Sequence, residues 1–287
     1  MREPLKCRAS PRAGPAAACV ILLGTVLSAS VVHAETARVA RVYDGDTVLL
    51  EDGRKVRYLG INAPESQEPL SRKAKGRNEE LVLRKVVRLE YEQERGDRYG
   101  RLLAWVHVGD DVVNLQLLRE GLAHAFIIPP NGIRTLEILQ AQEGAREKRL
   151  GIWRHIRGGL KVTAVRTEAR DTGDLTTGEE YVRLAAVSPR PVSLRGYRLL
   201  NESGRIYTFP DVTIAPGLTV LVVTGRGQDG KDPQGQLRLF WNTASPAWDE
   251  KEDTAYVEDP AGRLVDVFHY KGRRVSRRPP ARAGKGD

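Results

Sequence analysis

The residues able to do chemistry fall into a few short segments. Asp44-Gly45-Asp46-Thr47 lies between two β-prone runs, and Asn62-Ala63-Pro64-Glu65 ends the run that follows. Alone, an Asp-Gly pair is what a tight hairpin uses. Together the two segments bring carboxylate, amide and backbone-carbonyl oxygens, a donor set suited to a hard cation such as Ca2+; a soft metal would want Cys or His. Arg57, within Lys55-Val56-Arg57-Tyr58-Leu59-Gly60-Ile61, shares a strand face with Leu59 and Ile61 and needs an anion. That anion is either a structural carboxylate or a phosphate, which the planar guanidinium fork also matches. Arg101 follows the turn Asp97-Arg98-Tyr99-Gly100, where its plain reading is an exposed loop charge. One cation, two arginines and Glu65 are the parts that phosphodiester hydrolysis requires. As water attacks, the phosphate moves from one negative charge toward two, so positive groups must face the equatorial oxygens while a carboxylate orients or deprotonates the water. A metal would polarise the phosphate and position the nucleophile.

Three consecutive strands are expected at Ala37 to Tyr43, Thr47 to Glu51 and Lys55 to Ile61, the last two joined through Asp52-Gly53. A helix over Ser71 to Val87 follows, then strands at Arg88 to Glu94 and Leu102 to Val108. A shorter helix over Val113 to Glu120 stops at Gly121, and a third runs from about Ile133 to Arg149, with Ile133, Leu136 and Leu139 near helical period. The fold class is α+β: a five-stranded barrel of the oligonucleotide-binding (OB) type with helices, followed by an all-β immunoglobulin-like sandwich. From Leu160 to Tyr270 short strands such as Tyr181-Val182-Arg183-Leu184, Val220 to Val223 and Leu264 to Phe268 alternate with turn residues. That half carries no cysteine, histidine cluster or glycine-rich phosphate loop, and reads as a binding or scaffolding module.

Composition bounds the rest. With 287 residues, 29% charged and 40% hydrophobic, the chain is too polar for a multi-span membrane protein and too apolar for a wholly disordered one. Its two cysteines, Cys7 and Cys19, fall in a basic and then apolar N-terminal stretch that ends Val32-His33-Ala34. Residues 1–34 therefore read as a signal peptide, against the alternative of a retained anchor. The mature protein would have no integral span, no thiol, and a secreted or periplasmic location. The overall charge is +9, and Lys271 to Asp287 alone carries seven basic residues and one acidic. This Pro- and Gly-containing end, 271–287, is expected to be a disordered basic tail that attracts a polyanion or an anionic envelope surface, or simply solubilises the chain.

Val42 to Thr47, Arg57 to Glu65, Asp97 to Arg101, Val113-Asn114 through Gly121-Leu122-Ala123, and Leu150-Gly151-Ile152-Trp153 resemble, in order and spacing, the staphylococcal nuclease (thermonuclease) family. The resemblance spans about Ala37 to Arg154 and implies a domain over 35–158. It also implies a calcium-dependent nuclease that acts on DNA and RNA and releases 3′-phosphorylated products. The family's catalytic set corresponds to Arg57, Glu65 and Arg101. Its metal ligands correspond to Asp46, Asn62, the Ala63 backbone carbonyl, and Glu65 through water. Asn62 stands where the best-known member has an aspartate, so a weaker calcium site is expected. Ala63 replaces a threonine that binds through its carbonyl. Tyr99 and Phe126 correspond to two nucleotide-contacting tyrosines, the second having lost its hydroxyl.

The later half, 159–270, resembles a lamin tail domain at Glu180-Tyr181-Val182, Leu194 to Leu199, Ala215-Pro216-Gly217 and Gly262 to Asp266, with Tyr197 where a tryptophan is usual. This implies docking or surface placement. The expected protein is a monomeric exported nuclease. The rival readings are a nucleic-acid binder that has lost catalysis, motivated by Asn62, and an envelope scaffold.

Overall fold

The computed structural model describes residues 35–66, 68–156, 158–167 and 179–271. The expected signal peptide over 1–34 and all of the basic tail except Lys271 lie outside the described residues.

Strand β1 (Glu35–Val42) carries an irregularity between Val39 and Arg41 that lets one strand serve two neighbours. Its C-terminal end pairs with β2 (Thr47–Leu50), and its N-terminal end, Glu35 to Arg38, with the strand that follows the first helix. β2 turns through Asp52-Gly53, where Gly53 adopts φ +87°, into β3 (Lys55–Tyr58). The expected third strand breaks there instead of running to Ile61. Gly60 takes φ +74°, and a Cβ on it would stand 2.4 Å from Ile138, so both the turn and the packing need glycine. Buried Asn114 pins the break: its amide donates to the Leu59 carbonyl at 2.9 Å, and its oxygen accepts from the Val106 amide at 2.9 Å. Beyond it, β4 (Ile61–Asn62) leaves the barrel to pair elsewhere.

Helix α1 (Ser71–Val82) buries Ala74, Asn78 and Val82 on one stripe. It ends five residues short of the expected Val87 because β5 (Val86–Glu90) pairs with β1 through Arg38 opposite Val86 and Ala37 opposite Val87. The ladder outweighs the local helical pattern. β6 (Leu102–Val108) pairs with β5 and, in parallel, with β3, closing the five-stranded barrel in the order β3-β2-β1-β5-β6.

After β7 (Asp111–Val112), α2 (Val113–Arg119) stops at Gly121 with φ +66°. β8 (His124–Ala125) forms a ribbon with β4, placing Asn62 opposite His124. Helix α3 (Thr135–Glu147) buries Ile138, Ala141, Gln142 and Ala145. Of the residues near helical period, Ile133 precedes the helix and is 80% exposed, Leu136 is 68% exposed, and Leu139 packs partly buried against the core. The small residues Ala141 and Ala145 allow a close approach, and Gln142 accepts from the Ala125 amide at 2.7 Å, fixing β8.

The second half contains β9 (Leu160–Arg166), β10 (Tyr181–Ala186), β11 (Val192–Ser193), β12 (Arg198–Leu200), β13 (Ile206–Thr208), β14 (Thr213–Ile214), β15 (Thr219–Val223), β16 (Gly230–Lys231), β17 (Leu237–Phe240), β18 (Glu252–Glu258) and β19 (Leu264–Lys271). Its two main sheets run β16-β17-β15-β10-β9 and β13-β12-β18-β19, around a core that includes Val182, Leu184, Leu199, Val220, Val222, Trp248 and Val257. One pair, β15 with β17, is parallel.

The two halves share an apolar cluster in which Ala145, Ile152 and Trp153 meet Ala185 and Val187, with Leu70 and Phe126 at its edge. Ile127 donates to the Gly217 carbonyl at 2.8 Å, and Arg146 to the Val187 carbonyl at 2.7 Å. Lys161 pairs with Glu68. Among the described residues, no helix is long and apolar enough to cross a membrane.

Candidate active site

A cleft of about 450 Å³ opens beside β3, β4 and the β5–β6 connection. Arg57, Asn62, Glu65, Tyr99, Arg101 and Phe126 all line it, although they come from four separate stretches of chain.

Arg57 stands at its base, 9% exposed. Its Nε faces Asp46 Oδ1 at 3.2 Å, and one Nη donates to the Tyr58 and Ile61 carbonyls at 2.7 and 2.8 Å. The other Nη donates to Asn62 Oδ1 at 2.7 Å. Three of the five guanidinium N–H groups are hydrogen-bonded and Nε faces Asp46 as an ion pair, which leaves one Nη N–H for a ligand. The break in β3 makes this possible, because it turns two strand carbonyls inward where a continuous ladder would have consumed them.

Asp46 is 5% exposed; its Oδ2 accepts from the Ala63 amide at 2.6 Å and its Oδ1 from the Thr47 hydroxyl at 3.2 Å. Asp44 Oδ1 caps the Asp46 amide at 2.9 Å in an Asx turn. Burial pushes the Asp46 carboxyl up to about 7; Arg57 opposes the rise, while Asp44 and Glu65 add to it. Glu65 lies exposed at the rim, yet partial desolvation raises its carboxyl too; Arg57 and Arg101 oppose that rise, and Asp44 and Glu68 support it. The Glu65 amide donates to Glu68 at 2.8 Å, tightening the loop that presents it.

Arg101 is aimed by Asp97. One Asp97 oxygen accepts from the Tyr99 and Arg101 amides at 2.9 and 3.0 Å; the other takes the Arg101 Nε and Nη2 at 2.7 Å each. Three N–H groups of Arg101 stay uncommitted. Its guanidinium lies 5.4 Å from the Tyr99 ring centroid. Tyr99 is 66% exposed, and the Arg98 guanidinium also lies over its ring, 4.9 Å from the centroid. Phe126 lies under Arg57 at 5.9 Å.

The donor chemistry here fits a hard cation. The carboxylate, amide and carbonyl donors are oxygens, and the charge of Asp44 adds to the rise at both Asp46 and Glu65, a repulsion that a divalent ion would relieve. Among the described residues, no group of three or more Asp, Glu, His and Cys side chains is arranged as a cage. Asn62 Oδ1 is turned to Arg57.

Two motif segments do structural work. Gly121 and Gly151 touch backbone to backbone: a Cβ on Gly121 would lie 2.5 Å from the Leu150 carbonyl oxygen, and one on Gly151 2.0 Å from the Gly121 oxygen. Ile152 donates to the Gly121 carbonyl at 2.9 Å. Residues that sequence reasoning passed over also line the cleft. Glu92 accepts from the Trp105 indole at 2.8 Å and from the Gly132 and Ile133 amides, and Arg98, Tyr181 and Arg183 line the same cleft. The signal for Tyr181 and Arg183 was available: their strand is apolar on both faces save for one arginine.

A closed five-stranded barrel with three helices, whose cleft brings Arg57, Arg101 and Glu65 together, defines an OB-type barrel with a polar, arginine-lined cleft. A model of the "Staphylococcal nuclease homologue" family matches residues 55–155, and one of the "Lamin Tail Domain" matches 157–272. The thermonuclease of Staphylococcus intermedius is 39% identical over 135 residues, 44% of this chain and 80% of that protein. The thermonuclease of Staphylococcus hyicus is 36% identical over 128 residues, covering 42% and 76%. An uncharacterized endonuclease of Haemophilus influenzae is 37% identical over 138 residues, covering 47% and 75%. The chain belongs to the staphylococcal nuclease homologue family, and its barrel is followed by a lamin tail domain. By class it is a hydrolytic nuclease.

Proposed function

We propose that the protein is an exported calcium-dependent nuclease that hydrolyses phosphodiester bonds of DNA and RNA and leaves 3′-phosphates. The observation that carries this reading is the convergence of Arg57, Glu65 and Arg101 on one cleft, next to the buried Asp46. Asp46, the Ala63 carbonyl and, through water, Glu65 would hold the ion, with Asn62 a further donor once released from Arg57. Bound there, the ion would supply positive charge to the phosphate.

The side chains divide the remaining work. Arg57 and Arg101 present N–H groups to the equatorial phosphate oxygens. Both are held in place beforehand, Arg57 by four acceptors and Arg101 by Asp97, so little reorganisation accompanies the growth of negative charge. Glu65 orients the attacking water or takes its proton, and its raised affinity for a proton moves it toward the range a general base needs. Tyr99 stacks against a base.

The domain boundaries we adopt are 35–158 and 159–270. Export rests on the leader pattern of residues 1–34. A monomer, with the lamin tail domain and basic end placing the enzyme near an anionic envelope surface, completes the proposal.

The test is cleavage of single-stranded DNA and of RNA by the purified protein, with end-group analysis of the products. Glu65→Gln and Arg101→Ala should each lower kcat by about 10²-fold or more, with the unfolding midpoint unchanged. Wild-type rates in both variants would remove the site assignment. The engagement of Asn62 by Arg57 favours one competing reading, a nucleic-acid binder with weak catalysis, for which oligonucleotide binding without turnover is the expected result.

A further inference from the structure

One wall of the nuclease cleft belongs to the lamin tail domain. Strand β10 alternates strictly: Val182, Leu184 and Ala186 are buried in the sandwich core, while Ala185 and then Val187 face the barrel in the shared cluster. Tyr181 and Arg183 fall on that same barrel-facing side and line the cleft together with Ala164 of the paired strand. Arg183 is thus the single charged residue of a strand that is otherwise apolar apart from the Tyr181 hydroxyl.

Its surroundings are unusual for a structural arginine. The guanidinium lies 5.8 Å from the Phe126 ring centroid and 5.8 Å from that of Tyr181. Arg57 occupies the same Phe126 ring at 5.9 Å, so one aromatic ring holds a proposed catalytic arginine and Arg183. Arg98, which donates to the Tyr181 hydroxyl, adds a third cation. Among the described residues no carboxylate pairs with Arg183. Of the acidic groups in the cleft, Asp97 holds Arg101 and Glu92 holds Trp105 and two loop amides, and among the described residues neither Glu65 nor Glu94 forms an ion pair with Arg183. Desolvation, and to a lesser degree Arg98, lower the hold of Arg183 on its own proton, while Tyr181 and Tyr99 oppose that fall; among the described residues these are phenols and not carboxylates. Holding such a group half-buried is costly unless an anion arrives to meet it.

We propose that Arg183, supplied by the lamin tail domain, binds a backbone phosphate of single-stranded nucleic acid adjacent to the phosphate that is cut, making the second domain part of the substrate site. This rests on the nuclease reading above. Aromatic rings with interleaved arginines suit a flexible single strand, whose bases stack while its phosphates meet the cations.

The experiment compares the full chain with Arg183→Gln and Arg183→Lys. On a single-stranded thymidine 12-mer, Arg183→Gln should raise KM by about tenfold or more, with the loss falling on KM and not on kcat, and Arg183→Lys should lie between. The loss on the 12-mer should exceed the loss on a dinucleoside monophosphate, which has no neighbouring phosphate, by about tenfold. Binding of the 12-mer, read by fluorescence anisotropy without added metal, should weaken in parallel, and its log–log salt slope should fall by about 0.7, one phosphate contact on a single strand. A merely structural role would not move that slope. A KM within twofold of wild type with an unchanged slope overturns the proposal, as does an equal loss on both substrates. If the wild-type chain binds without cutting, the nuclease reading fails, while the binding and salt-slope comparison still decides the role of Arg183. If Arg183→Gln does not fold, Arg183→Met, which keeps the stem and removes the charge, takes its place, and an unchanged KM and salt slope in that variant overturn the proposal.

Discussion

Replacing Arg57 with lysine separates geometry from charge. The guanidinium meets Asp46, the Tyr58 and Ile61 carbonyls and Asn62 at 2.7 to 3.2 Å, in directions that a single ammonium cannot span. A lysine nitrogen reaches two of these acceptors at best. Two charge-assisted bonds are then lost, at roughly 1–2 kcal/mol each, which gives about 2–4 kcal/mol of destabilisation. For a domain of this size that lowers Tm by roughly 5–15 °C. Catalysis should suffer separately: with the fork gone, kcat should fall by about 10²-fold at temperatures where the variant is fully folded. Calorimetry and a cleavage assay on the same preparation measure both. A Tm within about 1 °C of wild type would refute the claim that Arg57 organises the site, and an unchanged kcat would refute its contact with the phosphate. Arg57→Ala should cost more, about 3–5 kcal/mol, because Asp46 is left buried without its partner.

Other consequences are smaller in scope. Asn62→Asp adds a carboxylate beside Asp46 and should lower the calcium concentration for half-maximal rate by about tenfold; an unchanged requirement would mean that position 62 does not act on the ion. Burial pushes the His124 imidazole down to about 3, against an unfolded value near 6.5. Its contribution to stability is therefore complete above pH 6.5 and is lost as pH falls toward 3. His124→Phe should flatten the drop in the urea midpoint between pH 7 and pH 4.5, and an equally steep drop would remove His124 as its cause. Gly121→Ala should destabilise by roughly 2–4 kcal/mol in urea unfolding, since φ +66° and the Leu150 oxygen both exclude a side chain; a change below about 0.5 kcal/mol would contradict the close backbone contact.

Much of the barrel was legible in the chain because alternation and turn residues are local signals. Asp52-Gly53 marks its hairpin, and Leu102 to Val108 is a strand in both readings. The elements that differed were settled by distant partners. α1 gives up its last turns to the β1–β5 ladder, and the third strand breaks at Gly60 because Ile138, nearly eighty residues on, fills the space beside it. The helical period of Ile133, Leu136 and Leu139 marked α3 but only Leu139 of the three packs inward, since the packing surface also uses Ile138 and the small or polar Ala141, Gln142 and Ala145. In the cleft, Arg57, Glu65 and Arg101 stood out by residue type. The anchoring roles of Asp97, Asn114 and Glu92 did not, since each depends on where loops meet in space. The contribution of β10 to the cleft likewise depends on how two separately readable halves pack.

The central claim is that these arginines and Glu65 act around one divalent cation on a phosphodiester. A calcium titration of single-stranded DNA cleavage by the purified chain tests it most directly. The rate should rise from background to saturation in the micromolar-to-millimolar range expected of sensor-like to extracellular sites, and should return to background when the ion is chelated. Cleavage that proceeds at full rate in excess chelator, or none at any calcium concentration in a folded protein, would contradict the account.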